Sequence, residues 1–198
     1  NYPLKPVHMF IGFPAGTSTD ILARLLAQKL GELWGQNVVS DNRAGAGSSI
    51  AAAAVAKATA DGYTLLYNSS AQSINPSLYA KLPYDTLKDF VEIAPAASQP
   101  NLLVVNPASS IKSVADLIAE AKAKPGQVNF GSAGVGTGTH LNLEKFKLMA
   151  GIDVTHIPYK GTPEVVTDII GGRTTAYFAP ITAALPFVQG GKLRALAV

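Results

Sequence analysis

The residues best placed to do chemistry lie in Asn129–Leu141, NFGSAGVGTGTHL. Gly131, Gly134, Gly136 and Gly138 alternate with the hydroxyls of Ser132, Thr137 and Thr139, and His140 follows in what reads as the first turn of a helix. Glycines allow a backbone to come close to a ligand. A loop that feeds a helix start aims unpaired N–H groups and the positive end of the helix dipole at one spot. The chemistry that suits this set is capture of an anion by backbone donors, with hydroxyls added. Taken alone, the stretch is equally an ordinary Gly-rich strand-to-helix turn.

Three sharper motifs fail here. A dinucleotide fingerprint needs a third glycine where Thr139 stands, and a phosphate-binding P-loop needs Lys where Thr137 follows Gly136. A nucleophile elbow needs Gly two residues before the serine, and Phe130 sits there before Ser132. The loop therefore suits a small anion and not a nucleotide or an acyl-enzyme.

A second stretch has the same make-up. Met9–Asp20, MFIGFPAGTSTD, is an apolar run, then Gly12, Pro14 and Gly16, then a helix start. Thr17 and Asp20 have capping-box spacing, with Asp in place of the usual Glu. Two such loops, one near the start of each half, suggest two lobes that each offer a helix N-terminus to a shared anionic ligand.

Catalytic groups are harder to find. His8 lies in the first strand as a core or sheet-face residue, and His156, in a strand before Pro158, also reads as structural. His140 could face a ligand, or equally pack or cap. No H-E-x-x-H and no metal-ligand spacing occurs, so no metal and no cofactor are expected. Ser69-Ser70 lacks nucleophile flanks. Asp85 and Asp89, like Glu32 and Asp41, read as surface carboxylates. Further donors for a ligand come from Ser69, Ser70, Gln72, Lys160 and Thr162, each at a strand-to-loop junction. Neutral donors suit a carboxylate that must be released again, because a ring of Arg would hold it tighter.

The elements that must position these residues alternate. Val7–Phe13 suits a buried parallel strand. Asp20–Gly35 reads as a helix with Leu22, Leu25, Leu26, Leu30 and Leu33 on its apolar face and Gly35 as its stop. Strands are expected at Asn37–Ser40 and Tyr63–Tyr67, a helix at Ser49–Ala60, and a polar loop at Asn68–Asn75. Asn75–Ser98 is broken by prolines, with Tyr79–Pro83 and Asp89–Phe90 suggesting a packed excursion. A second unit begins with the strand Asn101–Val105. Ser113 and Asp116 cap a helix carrying Val114, Leu117, Ile118 and Ala121 on one face. Then come the strand Val128–Phe130, the Gly-rich loop, a helix closed by Gly151, the strand Val154–Ile157, and a helix with Thr162 as N-cap before Pro163. Thr174–Phe178, a short helix near Thr182–Gln189 and Leu193–Val198 complete the chain. The β-α-β-α-β order argues for doubly wound parallel α/β sheets in two lobes, residues 1–99 and 100–198.

Composition agrees. Hydrophobic residues make up 47% of the 198 and charged residues 15%, enough apolar material for a core. The 16 basic and 13 acidic residues are scattered. No basic stripe with interleaved aromatics appears, so no nucleic acid is expected. The absence of Cys removes disulfides, thiol catalysis and Cys-ligated zinc, and fits an oxidising compartment. No apolar run approaches the ~20 residues of a membrane span. The start, Asn1-Tyr2-Pro3, has no signal-peptide pattern and is read as a mature end.

The chain resembles the Bug-type solute-binding receptors of tripartite tricarboxylate transporters. The likeness runs through YPLKPV, GFPAGTSTDILAR, VVSDNRAGAGSSIAAAAVAKATADGYTLL, YDTLKDF, FGSAGVGTGTHL, PYKGTPEVVTDIIGG and GGKLRALAV. The family commonly has Gly where this chain has Thr17, and an acidic residue near Thr175. The resemblance implies a two-lobed periplasmic-binding-protein fold, each lobe a mainly parallel sheet flanked by helices, with a ligand cleft between the lobes that closes by a hinge. It implies a monomeric periplasmic receptor for a small organic carboxylate, with no catalytic role and with transporter subunits or a membrane sensor as partner. The alternatives are a sensing subunit, or a hydrolase on the same scaffold. Carried over by motif, Phe13, Ala15, Gly16, Thr17 and Asp20 form the first ligand loop, with Asp20 bracing it. Ser132, Gly134, Thr137, Gly138 and His140 form the second. Ser69 and Gln72 would line one wall and Lys160, Gly161 and Thr162 the other, although each is equally read as a surface polar residue. Family members continue past Val198, so the first lobe is expected to be completed by residues absent from this chain.

Overall fold

The structure is a computed structural model that describes residues 2–198. It divides into two compact units, the first ending at Ala97 and the second running from Ser98 to Val198.

The first unit holds β1 (Val7–Ile11), α1 (Ser18–Trp34), β2 (Val38–Asn42), a 3-10 turn at Ala46–Ser48, α2 (Ser49–Ala56), β3 (Thr64–Tyr67) and α3 (Ala71–Leu78). Its sheet has the order β2-β1-β3 and is parallel throughout. The central strand is not buried on both faces. Val7, Met9 and Ile11 are buried, while His8 is exposed and Phe10 is half-buried beneath the Arg43 guanidinium, 3.7 Å from the ring centre. The face of α1 also differs from the leucine pattern. Ala23 and Ala27 are buried, with Leu26 and Leu30 packed beside them, whereas Leu25 and Leu33 are exposed. Small residues lie where the helix comes closest to the sheet, so the helix is rotated away from its larger leucines. The stretch expected to be a polar loop after β3 instead forms α3, with Asn75 fully buried and its amide donating to the Gly47 carbonyl at 2.8 Å. In the expected excursion only Tyr84 is buried, its ring 5.6 Å from Phe90, while Leu87, Val91 and Ile93 are exposed.

The second unit holds β4 (Asn101–Val105), α4 (Val114–Ala123), β5 (Asn129–Ser132), α5 (Gly138–Ala150), β6 (Thr155–Pro158), α6 (Thr162–Ile170), β7 (Ala176–Pro180), α7 (Ile181–Gln189) and β8 (Arg194–Ala197). The sheet order is β6-β5-β7-β4-β8. β5 runs parallel to β6 and β7, but β4 runs antiparallel to both β7 and β8. A strand buried on both faces has the same apolar run in either direction, so the pattern of β4 carried no sign of this. Alternate residues of β4 serve two cores. Leu103 and Val105 join Leu117 and Ala121 of α4 and Leu143 of α5. Leu102 and Val104 join Val165, Val166 and Ile169 of α6 and Ala184 of α7. Helices thus cover both faces, as the sequence pattern predicts. Each fully buried Leu or Val here contributes roughly 1.5–3 kcal/mol through removal from water.

Candidate functional site

Two loops stand at equivalent places, after β1 and after β5, each leading into a helix. Pro14–Asp20 and Gly134–His140 share one hydrogen-bond pattern, although Gly134 takes a φ of 120° that Pro14 cannot adopt. The positive φ of Gly16 (77°) is matched by that of Gly136 (80°), a region that glycine enters without strain. Thr17 and Thr137 then take extended N-cap geometry, with φ/ψ of −74°/160° and −82°/160°. Each threonine hydroxyl donates back to the carbonyl three residues earlier, Pro14 or Gly134, at 2.7 Å. Each also accepts from the amide three residues on, Asp20 at 3.3 Å and His140 at 3.4 Å. The loop closes when the side chain at that position accepts the glycine amide. Gly16 N–H reaches Asp20 Oδ2 at 3.0 Å, and Gly136 N–H reaches His140 Nδ1 at 3.3 Å. Asp20 therefore takes Gly16 and not the Thr17 amide that a capping box would give it.

What this construction leaves over is a matched set of donors. The amides of Ala15, Ser18 and Thr19 in the first loop, and of Val135, Gly138 and Thr139 in the second, have no backbone acceptor among the described residues. Each set lies at a helix start, where N–H groups and dipole favour negative charge.

The predicted site residues divide between the outside and the frame of these loops. Ala15 and Gly16 are exposed and Gly134 and Gly138 half-buried. Phe13, Thr17, Asp20, Ser132 and Thr137 are buried and hold the loops in shape. Ser132 Oγ accepts from Gly134 N–H at 3.1 Å and lies 2.6 Å from His156 Nε2. Since the Thr137 hydroxyl proton is given to Gly134, the Thr139 hydroxyl donates to Thr137 at 2.9 Å and accepts from Ala133 N–H at 3.0 Å. Ser69 accepts from Ala71 N–H at 3.2 Å at the start of α3, and Gln72 Oε1 accepts from Asn68 at 2.9 Å. Lys160 is exposed, and its amide donates to Glu164 at 3.0 Å. The N-cap of α6 is Gly161 and not Thr162. The Thr162 hydroxyl turns inward and bonds the Tyr177 hydroxyl at 2.9 Å, because a buried phenol needs a polar partner.

Sequence reading missed three residues. Arg24 Nε meets Asp20 Oδ1 at 2.9 Å, and Asn42 Nδ2 meets both Asp20 Oδ1 at 2.8 Å and the Phe13 carbonyl at 2.9 Å. The i,i+4 spacing of Asp20 and Arg24 signalled the first contact. Burial raises the Asp20 pKa, but the bonds from Arg24, Asn42 and Gly16 outweigh it and hold the carboxyl below its ordinary range. The third is His156, which the β5–β6 register pairs with Phe130, so that its ring reaches Ser132 two residues along and stacks on His140 with ring centres 4.2 Å apart and planes 14° apart.

Burial first, then His140 and Lys147, lower the His156 pKa, with Glu144 opposing. A histidine with a depressed folded value gives stability that is present above its unfolded pKa of about 6.5 and is lost as pH falls through the folded value. The thermal midpoint of the second unit is therefore expected to drop between pH 7.5 and 5, and to drop less in His156→Asn. Equal drops by calorimetry would remove His156 as the cause.

Among the described residues no group of three His, Asp or Glu is placed to hold a metal ion, and no helix is long and apolar enough to cross a membrane. The arrangement can hold an anion through neutral donors.

Residues 22–198 match the family described as "Tripartite tricarboxylate transporter family receptor". Protein BugT of Bordetella pertussis is 43% identical over 199 residues, covering 100% of this chain and 61% of BugT. Among solved structures, Rpa4515 of R. palustris, determined with adipate, superposes with a TM-score of 0.96 at 37% identity over 100% of this chain and 66% of that one. The periplasmic binding protein BugD superposes with a TM-score of 0.86 at 28% identity, over 98% and 65%. The chain thus spans about three-fifths of the length of the curated relative it matches.

Proposed function

The chain belongs to the tripartite tricarboxylate transporter family of receptors, and from that premise we propose that it captures a small organic carboxylate outside the cytoplasm and passes it to a membrane transporter. The observation that carries this reading is the twin loop. One loop hydrogen-bond pattern occurs twice, and each copy leaves three matched amides without a backbone acceptor at a helix start. A carboxylate offers several acceptor sites on its two oxygens and needs no more than such donors and ordered water. We assign anion contact to the amides around Ala15–Thr19 in the first unit and to those around Val135–Thr139 in the second, each taken by itself, with Ser69 and Gln72 of the first and Lys160 of the second as candidates for further contacts. The buried Thr17, Asp20, Ser132, Thr137 and Thr162 serve as framework. The neighbour solved with adipate supports a dicarboxylate. A periplasmic place is supported by the name of BugD.

The test is calorimetric titration with mono-, di- and tricarboxylates, adipate included. Saturable binding of at least one dicarboxylate without turnover is expected. No heat across the whole panel, together with hydrolysis of an ester or amide, would replace the receptor reading with an enzymatic one.

A further inference from the structure

We propose that His140 is a positioning residue: its neutral ring holds the second loop in the anion-binding conformation, and acid releases the loop and the ligand. This inference rests on the carboxylate-capture reading for its effect on binding, but its structural half stands apart from it.

His140 Nδ1 accepts the Gly136 amide at 3.3 Å. An imidazole nitrogen that accepts a hydrogen bond carries no proton, so the neutral ring has its proton on Nε2. The next proton can go only to Nδ1, the atom that closes the loop. Once it is there, two N–H groups face each other and the Gly136 contact is lost. In the first loop the same position holds Asp20, which accepts Gly16 N–H as a carboxylate and is further held by Arg24 and Asn42. The same loop bond is therefore closed by a carboxylate in the first loop and by a neutral imidazole nitrogen in the second.

Direct attraction between a charged ring and the anion would have the opposite sign, so geometry must decide between them. His140 Nε2 lies 3.9 Å from Glu144 Oε1, and the ring face is covered by His156. The ring is thus engaged by its neighbours on one edge and one face. The charged side chains acting on His156 are Glu144 and Lys147 of α5, which are themselves paired at 3.2 Å. β5 brings only the neutral Ser132 against His156. A positive charge on the ring is offset by Glu144 beside Nε2, while the lost Gly136 contact falls on the loop.

The experiment is titration with adipate from pH 8 to 6, on the native protein and on His140→Asn, whose carbonyl can accept Gly136 N–H without titrating. Affinity of the native protein is expected to fall about fivefold across this range and that of His140→Asn to stay level. Ionisation of adipate itself is common to both and cancels in the ratio. Native affinity that is level, or that rises in acid, overturns the proposal. Nitrogen-15 spectra of the histidine rings in the ligand-free native protein decide the structural half without any variant. An unprotonated Nδ1 at pH 8, with the Gly136 amide shifting as that ring titrates, supports it, and a protonated Nδ1 at pH 8 overturns it. If adipate fails to bind at pH 8 while the ring spectra agree, the choice of ligand is at fault and the loop mechanism stands.

Discussion

Asp20→Ala is expected to destabilise the first unit by about 2 kcal/mol, within the range for hydrogen bonds to a charged group, and to abolish measurable carboxylate binding there. Asp20 is 3% exposed and ties together the Gly16 amide, Arg24 and Asn42. Without the carboxylate, three donors lose their acceptor, and those that stay buried carry a desolvation cost. Arg24 is half-exposed and regains water, so its ion pair adds little to this figure. Asp20→Asn keeps an acceptor for Gly16 but loses the charge, so an intermediate loss is expected. The pH dependence has a definite sign. The folded pKa is depressed, so the stability Asp20 provides is present above its unfolded value of about 3.9 and is lost as pH falls through the lower folded value. Urea midpoints at pH 7 and near pH 3 measure both effects. Equal midpoints for native protein and Asp20→Ala at pH 7 would show that the carboxylate does not hold the loop.

The second large effect is expected from Gly134→Val. Gly134 has φ of 120°, where L side chains are strained, and a Cβ added there would lie 3.2 Å from the Tyr159 carbonyl oxygen. Such backbone strain costs on the order of 1–3 kcal/mol. Gly134 is also bonded on both sides, its carbonyl to the Thr137 hydroxyl and its amide to Ser132. Moving it displaces both ends of the loop. Carboxylate affinity is expected to weaken tenfold or more, the equivalent of ~1.4 kcal/mol, in a variant that still folds. Affinity unchanged in the folded variant would take this loop out of the ligand site.

Much of this was legible in the residues because it is local. Thr17 with Asp20, Ser113 with Asp116, Gly35 and Gly151 mark helix ends within three or four positions, and all six act as helix caps or their partners. The two Gly-rich loops could be matched by composition, since a turn that needs positive φ at one residue and a hydroxyl at the next writes both into the sequence. The long motifs pointed to the family that residues 22–198 match. What only the tertiary structure decided involves partners far apart in the chain. The direction of β4, the rotation of α1 away from Leu25 and Leu33, the inward turn of Thr162 to Tyr177, and the placing of His156 against Ser132 and His140 all depend on which strands pair and in what register. A one-residue change of register would turn His156 to the other face of the sheet. Spacing along the chain carries hydrogen bonds that close within a turn, whereas contacts across 15 or 24 residues are set by the packing of whole elements.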